Sequence, residues 1–168
     1  VNVIGSDLAD HLNGGYESDH LAAGSGDDLL IGGLGADVLD GGPGRDLAHY
    51  ASLYAALPRP APVQIDLADG LPEHGGAAEG DVLIGIEDLW GTDDDDRLLG
   101  GGDTNRIHGW MGGDEIDGRG GDDELFGDTG SDLLTGGPGN DLIVGGYSID
   151  PVTDVDTGSN DNCAVDTI

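Results

Sequence analysis

The 168-residue chain carries 35 acidic residues against five basic ones, all five of them Arg, for a formal charge of −30; 34 residues are Gly and only 4% are aromatic. So acidic a surface argues against nucleic acid and anionic membrane as partners. Self-repulsion on this scale, with so much glycine entropy and so few large apolar groups, predicts a chain that does not fold unaided.

From Gly5 the chain runs in ninemers: GSDLADHLN, GGYESDHLA, AGSGDDLLI, GGLGADVLD and GGPGRDLAH. The sixth residue of each is Asp10, Asp19, Asp28, Asp37 and Asp46, and the eighth is Leu12, Leu21, Leu30, Leu39 and Ala48. A fixed internal period names an architecture before any local propensity does. From Tyr50 to Trp90 the character changes. Pro58, Pro60 and Pro62 disfavour helix, and the alternation of Val63-Gln64-Ile65-Asp66-Leu67 predicts a half-buried strand. This segment is expected to add rungs and a surface loop to one continuous roll; the alternative is an unstructured linker.

The beat resumes at Gly91 as GTDDDDRLL, GGGDTNRIH, GWMGGDEID, GRGGDDELF, GDTGSDLLT and GGPGNDLIV. Its sixth residues are Asp96, Asn105, Asp114, Asp123, Asp132 and Asp141, its eighth Leu98, Ile107, Ile116, Leu125, Leu134 and Ile143, and GGYSID opens a further beat ending at Asp150. The chain thus divides into a first repeat block at 1–49, an insert at 50–90, a second block at 91–153 and a degenerate capping segment at 154–168. Asp154, Asp156, Asn160 and Asp161 lack the glycine and terminal Glu of an EF-hand loop, so a capping turn is the expectation there. The lone Cys163 excludes an intramolecular disulfide framework.

The Gly-Gly-x-Gly-x-Asp-x-aliphatic-x ninemer, complete in GGLGADVLD and GGPGNDLIV, resembles the RTX, or hemolysin-type calcium-binding, repeat. The resemblance implies an all-β, right-handed parallel β-roll in which each ninemer makes half a turn, a Gly-rich loop and then a short strand. The insert is similar to the non-repeat segment between RTX blocks, through VQIDL and GIEDLWG. Proteins of this kind are exported, so the resemblance implies a secreted or cell-surface location; their C-terminal export signal is not visible in this chain.

Spacing supports the same geometry. Glycine permits the positive φ that a loop needs if its carbonyls are to face an ion, and a three-residue strand turns one aliphatic inward. Successive beats then face opposite edges, pairing Asp10 with Asp28, Asp28 with Asp46, Asp19 with Asp37, Asp96 with Asp114, Asp114 with Asp132, Asp132 with Asp150, Asn105 with Asp123, and Asp123 with Asp141. About eight inter-loop sites follow. The expected ligands are those side chains with carbonyls of Gly24, Gly26, Gly33, Gly35, Gly42, Gly44, Gly112, Gly121, Gly130, Gly137 and Gly139. An all-oxygen, irregular cage suits calcium better than magnesium, which demands a near-ideal octahedron. For any single Asp, a solvated turn residue is the plain alternative. Glu17, Ala23 and Asn105 depart from the pattern, so sites beside Asp19 and Asn105 are expected to be the weakest.

With a Kd of roughly 0.1 mM, as in extracellular modules, 1 mM calcium contributes about 1.4 kcal/mol per site. Eight sites give roughly 11 kcal/mol, the size of a whole domain's stability. Because the sites exist only in the fold, that binding energy is folding energy.

The chain has no HExxH, nucleophile-elbow or phosphate-loop motif, so no catalysis is expected of it. Its histidines at 11, 20, 49, 74 and 108 are expected to be ordinary surface residues. Two readings remain: a calcium-driven folding and secretion aid of an exported bacterial protein, or a self-assembling filament, adhesin or surface-layer unit. The second draws on outward positions that are apolar, namely Leu29, Ile31, Val38 and Leu47, then Leu99, Phe126, Leu133, Leu142 and Val144.

Overall fold

The computed structural model describes residues 2–50 and 61–146. Asp150, the capping segment and Cys163 lie outside them. Within them the chain forms short strands: β1 (Asn2–Ile4), β2 (His11–Gly15), β3 (His20–Ala22), β4 (Leu29–Gly33), β5 (Val38–Asp40), β6 (Leu47–His49), β7 (Gln64–Asp66), β8 (Val82–Ile84), β9 (Asp88–Trp90), β10 (Arg97–Leu99), β11 (Arg106–His108), β12 (Met111–Gly112), β13 (Glu115–Asp117), β14 (Glu124–Phe126), β15 (Thr129–Gly130), β16 (Leu133–Thr135) and β17 (Leu142–Val144). All strand pairs are parallel, and within each repeat block the register steps by two ninemers: Leu12 opposite Leu30, Leu21 opposite Leu39, Leu98 opposite Ile116, Leu125 opposite Ile143. The protein is an all-β parallel β-solenoid.

One face is a continuous seven-stranded sheet in the order β17-β14-β11-β9-β6-β4-β2. Between the faces lies the aliphatic ladder. Leu21, Leu30, Leu39, Leu98, Ile107, Ile116, Leu125 and Leu134 have no exposed surface, and each such side chain withdrawn from water stabilises the fold by about 1.5–3 kcal/mol. With three residues per strand, only the middle one can face inward.

The opposite face is broken by the insert into two four-stranded sheets, β1-β3-β5-β8 and β16-β13-β10-β7. β9 pairs with both β6 and β11, so the seven-stranded face gains one rung where the other gains two. The segment before β8 stands between the two extra strands. Gln64 and His74 exchange backbone hydrogen bonds of 2.7 and 3.2 Å, and the Glu73 N–H donates to the Asp81 carbonyl at 2.7 Å. Arg119 fastens this region to the second block: its guanidinium donates to both oxygens of Asp66 at 2.7 and 2.6 Å and to the Gly100 carbonyl at 3.2 Å. That span crosses Leu99, which lies between Asp66 and Asp117 in the ladder and is buried.

Two expectations about outward residues are corrected. His49 is buried, edge-on to Trp90 with ring centroids 5.0 Å apart, and His108 is stacked flat on Phe126 at 4.3 Å with its Nδ1 2.9 Å from Asp128 Oδ2. Ladder register places these ninth residues in one column, His49, Trp90, His108 and Phe126, so they cover one another. His11, His20 and His74 are exposed as expected. The outward apolar residues do not form one stripe: Ile31 and Leu99 are buried, and the exposed Leu133 and Leu142 lie on opposite faces.

Candidate metal centres

Each sixth residue precedes a strand, so stacking of the strands stacks these residues along two edges. On the edge of the seven-stranded sheet, the Asp10 N–H donates to Asp28 Oδ1 at 2.7 Å, Asp28 to Asp46 Oδ1 at 2.9 Å, and Asp46 to Glu87 Oε2 at 2.9 Å. Asn105 continues it, its Nδ2 donating to the Glu87 carbonyl at 2.6 Å and its N–H to Asp123 Oδ1 at 2.8 Å; Asp123 then donates to Asp141 Oδ1 at 2.9 Å. On the other edge, Asp19 donates to Asp37 Oδ1 at 2.7 Å and Asp37 to Asp81 Oδ1 at 2.8 Å. Beyond the break, Val63 donates to Asp96 Oδ1 at 2.8 Å, Asp96 to Asp114 Oδ1 at 2.9 Å, and Asp114 to Asp132 Oδ1 at 3.0 Å.

Seven of the eight expected pairs are therefore direct neighbours along an edge, while the Asp132 and Asp150 pair extends beyond the described residues. Sequence reasoning missed Asp81 and Glu87. The signal was present in the triplets Asp81-Val82-Leu83 and Glu87-Asp88-Leu89, acid-x-aliphatic, without a full ninemer before the second.

The ladder uses only one oxygen of each carboxylate. The Oδ2 atoms of Asp28, Asp37, Asp46, Asp114, Asp123 and Asp141 are buried and accept no hydrogen bond. Five of the six lie inside their own loops against the opening glycine, and Asp28 has Ala23 at that place; a Cβ on Gly32 or Gly41 would stand 2.5 Å from the Oδ2 of Asp37 or Asp46. A buried carboxylate oxygen without a donor is costly, and a cation would supply what is missing.

Loops also stack at the same spacing. The carbonyl oxygens of Gly24, Gly26, Gly112 and Gly121 point along the edge at Gly42, Gly44, Gly130 and Gly139, leaving no room for a Cβ there. Left-handed φ values at Gly24, Gly26, Gly33, Gly35, Gly42, Gly112, Gly121, Gly130 and Gly137 make that close stacking available; Gly44 and Gly139 are required by contact alone.

Electrostatics agree with an uncompensated ladder. Burial, reinforced by neighbouring carboxylates, raises Asp46 and Asp123 to about 6 and Asp114 to about 8, and pushes Asp37 upward. Asp81 rises to about 7 for the same reason, although the Tyr50 hydroxyl donates to its Oδ2 at 3.0 Å. Among the described residues no three His, Cys, Asp or Glu side chains converge on one point. Each prospective site is a carboxylate pair completed by loop carbonyls, an oxygen-only donor set that fits calcium.

A family model of the RTX calcium-binding nonapeptide repeat matches the chain in four copies, over residues 4–39, 13–48, 81–116 and 117–146. No curated protein matches it. The copy at 81–116 starts on Asp81 and runs through Glu87, the two rungs whose spelling departs furthest from the ninemer and through which the ladders nevertheless continue. The chain belongs to the RTX calcium-binding repeat family and is a calcium-binding repeat module.

Proposed function

We propose that calcium drives the folding of this module, and that it serves an exported bacterial protein as a folding and secretion aid. The observation that carries the reading is the set of buried Oδ2 atoms with no hydrogen-bond donor. At cytosolic calcium those oxygens would be desolvated and mutually repelling in the roll, which favours an extended chain that can be threaded through an export channel. Outside the cell, millimolar calcium reverses the balance. The reading gives the module no catalysis of its own; any activity belongs to a partner domain or protein.

The test is a far-ultraviolet circular dichroism titration of chelated protein with calcium and, in parallel, magnesium. A cooperative coil-to-strand transition near millimolar calcium, absent with magnesium, is expected. A chelated chain already rich in strand would defeat the folding switch. The self-assembling alternative loses its main support, because the outward apolar residues are divided between the two faces or buried.

A further inference from the structure

The repeats differ in one backbone detail that follows the state of the carboxylates. In most beats the second residue is left-handed: Gly15, Gly24, Gly33, Gly42, Trp110, Arg119, Asp128, Gly137 and Gly146 have φ of 124, 109, 101, 89, 80, 67, 64, 95 and 91°. Six of these beats have Asp28, Asp37, Asp46, Asp114, Asp123 and Asp141 as their sixth residue, carboxylates whose Oδ2 has no donor.

Three other beats have Ser6, Thr92 or Gly101 at the second position, none of them left-handed. There the second residue's own amide turns onto the sixth side chain. Ser6 donates to Asp10 Oδ2 at 2.6 Å, Thr92 to Asp96 Oδ2 at 2.5 Å, and Gly101 to Asn105 Oδ1 at 2.7 Å. Hydroxyls add to two of them, Ser6 Oγ on Asp10 Oδ2 at 2.8 Å and Thr92 Oγ1 on Asp96 Oδ1 at 2.9 Å. Asp81, in a beat whose second residue Ala77 is likewise not left-handed, has its Oδ2 covered by the Tyr50 hydroxyl.

Trp110, Arg119 and Asp128 hold the left-handed form without being glycine, at about 1–2 kcal/mol each for Trp110 and Arg119. A strained conformation kept at such cost points to a use for it. In those six beats the left-handed second residue leaves the oxygen open; Ser6, Thr92 and Gly101 fill the space with their own N–H, the position from which an ion at about 2.3–2.6 Å would approach.

We infer that the second residue of each beat selects which loops take an ion. Calcium then binds in two blocks, around Asp28, Asp37 and Asp46 and around Asp114, Asp123 and Asp141, separated by a belt from Gly76 to His108 that is held by protein hydrogen bonds and takes no side-chain ligand from Asp81, Asp96 or Asn105. Asp10 is closed in the same way at the start of the roll. This rests on the calcium-binding reading and refines it, since the ninemer spelling alone makes Asp10, Asp96 and Asn105 ligands.

The experiment counts bound calcium at saturation by equilibrium dialysis of the full chain, with circular dichroism confirming the fold of each variant. Asp96→Asn is expected to bind as many ions as the parent, and Asp123→Asn at least one fewer. Asn105→Asp restores the carboxylate and is expected to gain none, because Gly101 still covers the oxygen; it decides the matter if Asp96→Asn does not fold. An ion lost in Asp96→Asn or gained in Asn105→Asp overturns the inference while leaving calcium binding intact. A parent chain that binds no calcium instead overturns the reading beneath it.

Discussion

Asp114 allows the two jobs of a ladder carboxylate to be separated. Its Oδ1 accepts the buried Asp96 N–H at 2.9 Å, and its Oδ2 has no donor. Asp114→Asn keeps an acceptor for the amide but removes the charge that an ion needs; Asp114→Ala removes both. At 1 mM calcium and a Kd of roughly 0.1 mM, the Asn variant loses about 1.4 kcal/mol for each ion it no longer holds. The Ala variant loses a further 1–3 kcal/mol or so from the orphaned Asp96 amide. Urea unfolding followed by circular dichroism at 1 and 10 mM calcium distinguishes them. Between those concentrations the gap between parent and Asn variant should widen by about 1.3 kcal/mol if one ion is lost, and by about twice that if the residue is shared by two sites. The gap between Asn and Ala variants should stay constant. An Asn variant that tracks the parent at both concentrations would refute the role of the free oxygen, and coincident Asn and Ala variants would refute the ladder hydrogen bond.

Other perturbations test neighbouring parts of the structure. Gly44→Ala drives a Cβ into the Gly26 carbonyl of the stacked loop; calorimetry should show a lower melting temperature, and an unchanged one would mean that the two loops can part. Arg119→Ala should cost about 1 kcal/mol, the worth of its fork on the partly exposed Asp66, whereas Arg119→Gly should be nearly neutral because relief at φ 67° offsets the lost contact. Equal losses in the two variants, measured by urea unfolding, would contradict that assignment. Without calcium the pH dependence runs opposite to that of an ordinary salt-bridged protein. Burial first, then neighbouring acids, raises Asp46, Asp123, Glu73, Asp81 and Asp114 to about 6, 6, 7, 7 and 8 in the fold. Between the ordinary carboxylate range near pH 4 and about pH 8 the folded chain therefore binds more protons than the unfolded one, so stability of the calcium-free roll falls as pH rises through that window. Chelated protein should gain strand signal on acidification toward pH 5, while the calcium midpoint moves to higher concentration because protons compete for the same oxygens; strand signal that grows with pH in chelator would contradict the sign.

Much of this architecture is legible in the sequence because the period does the specifying. Eighth residues such as Leu21 and Ile116 are core, and pairs such as Asp28 with Asp46 are neighbours, since an 18-residue turn leaves no other register. The insert was legible only in part. The VQIDL strand forms, but nothing local in it says that it sits beside β10 and splits one face, because that follows from the bridge between Gln64 and His74 and the clamp of Arg119 on Asp66. His49 and His108 depart from the surface positions that alternation implies, because alternation places a ninth residue outward without saying what its ladder neighbours are; here they are Trp90 and Phe126. The difference between Thr92 and Gly42 at the second position was also out of reach, since it lies in a backbone angle rather than in residue spacing.

The central claim is that the donorless carboxylate oxygens are calcium sites, and anomalous diffraction from crystals of the full chain grown in calcium tests it most directly. The account predicts peaks at about 2.3–2.6 Å from the Oδ2 atoms of Asp28, Asp37, Asp46, Asp114, Asp123 and Asp141, with carbonyl oxygens of the stacked glycine loops completing each shell. A folded roll without anomalous peaks beside those oxygens, its carboxylates bridged by water or shared protons, would contradict it.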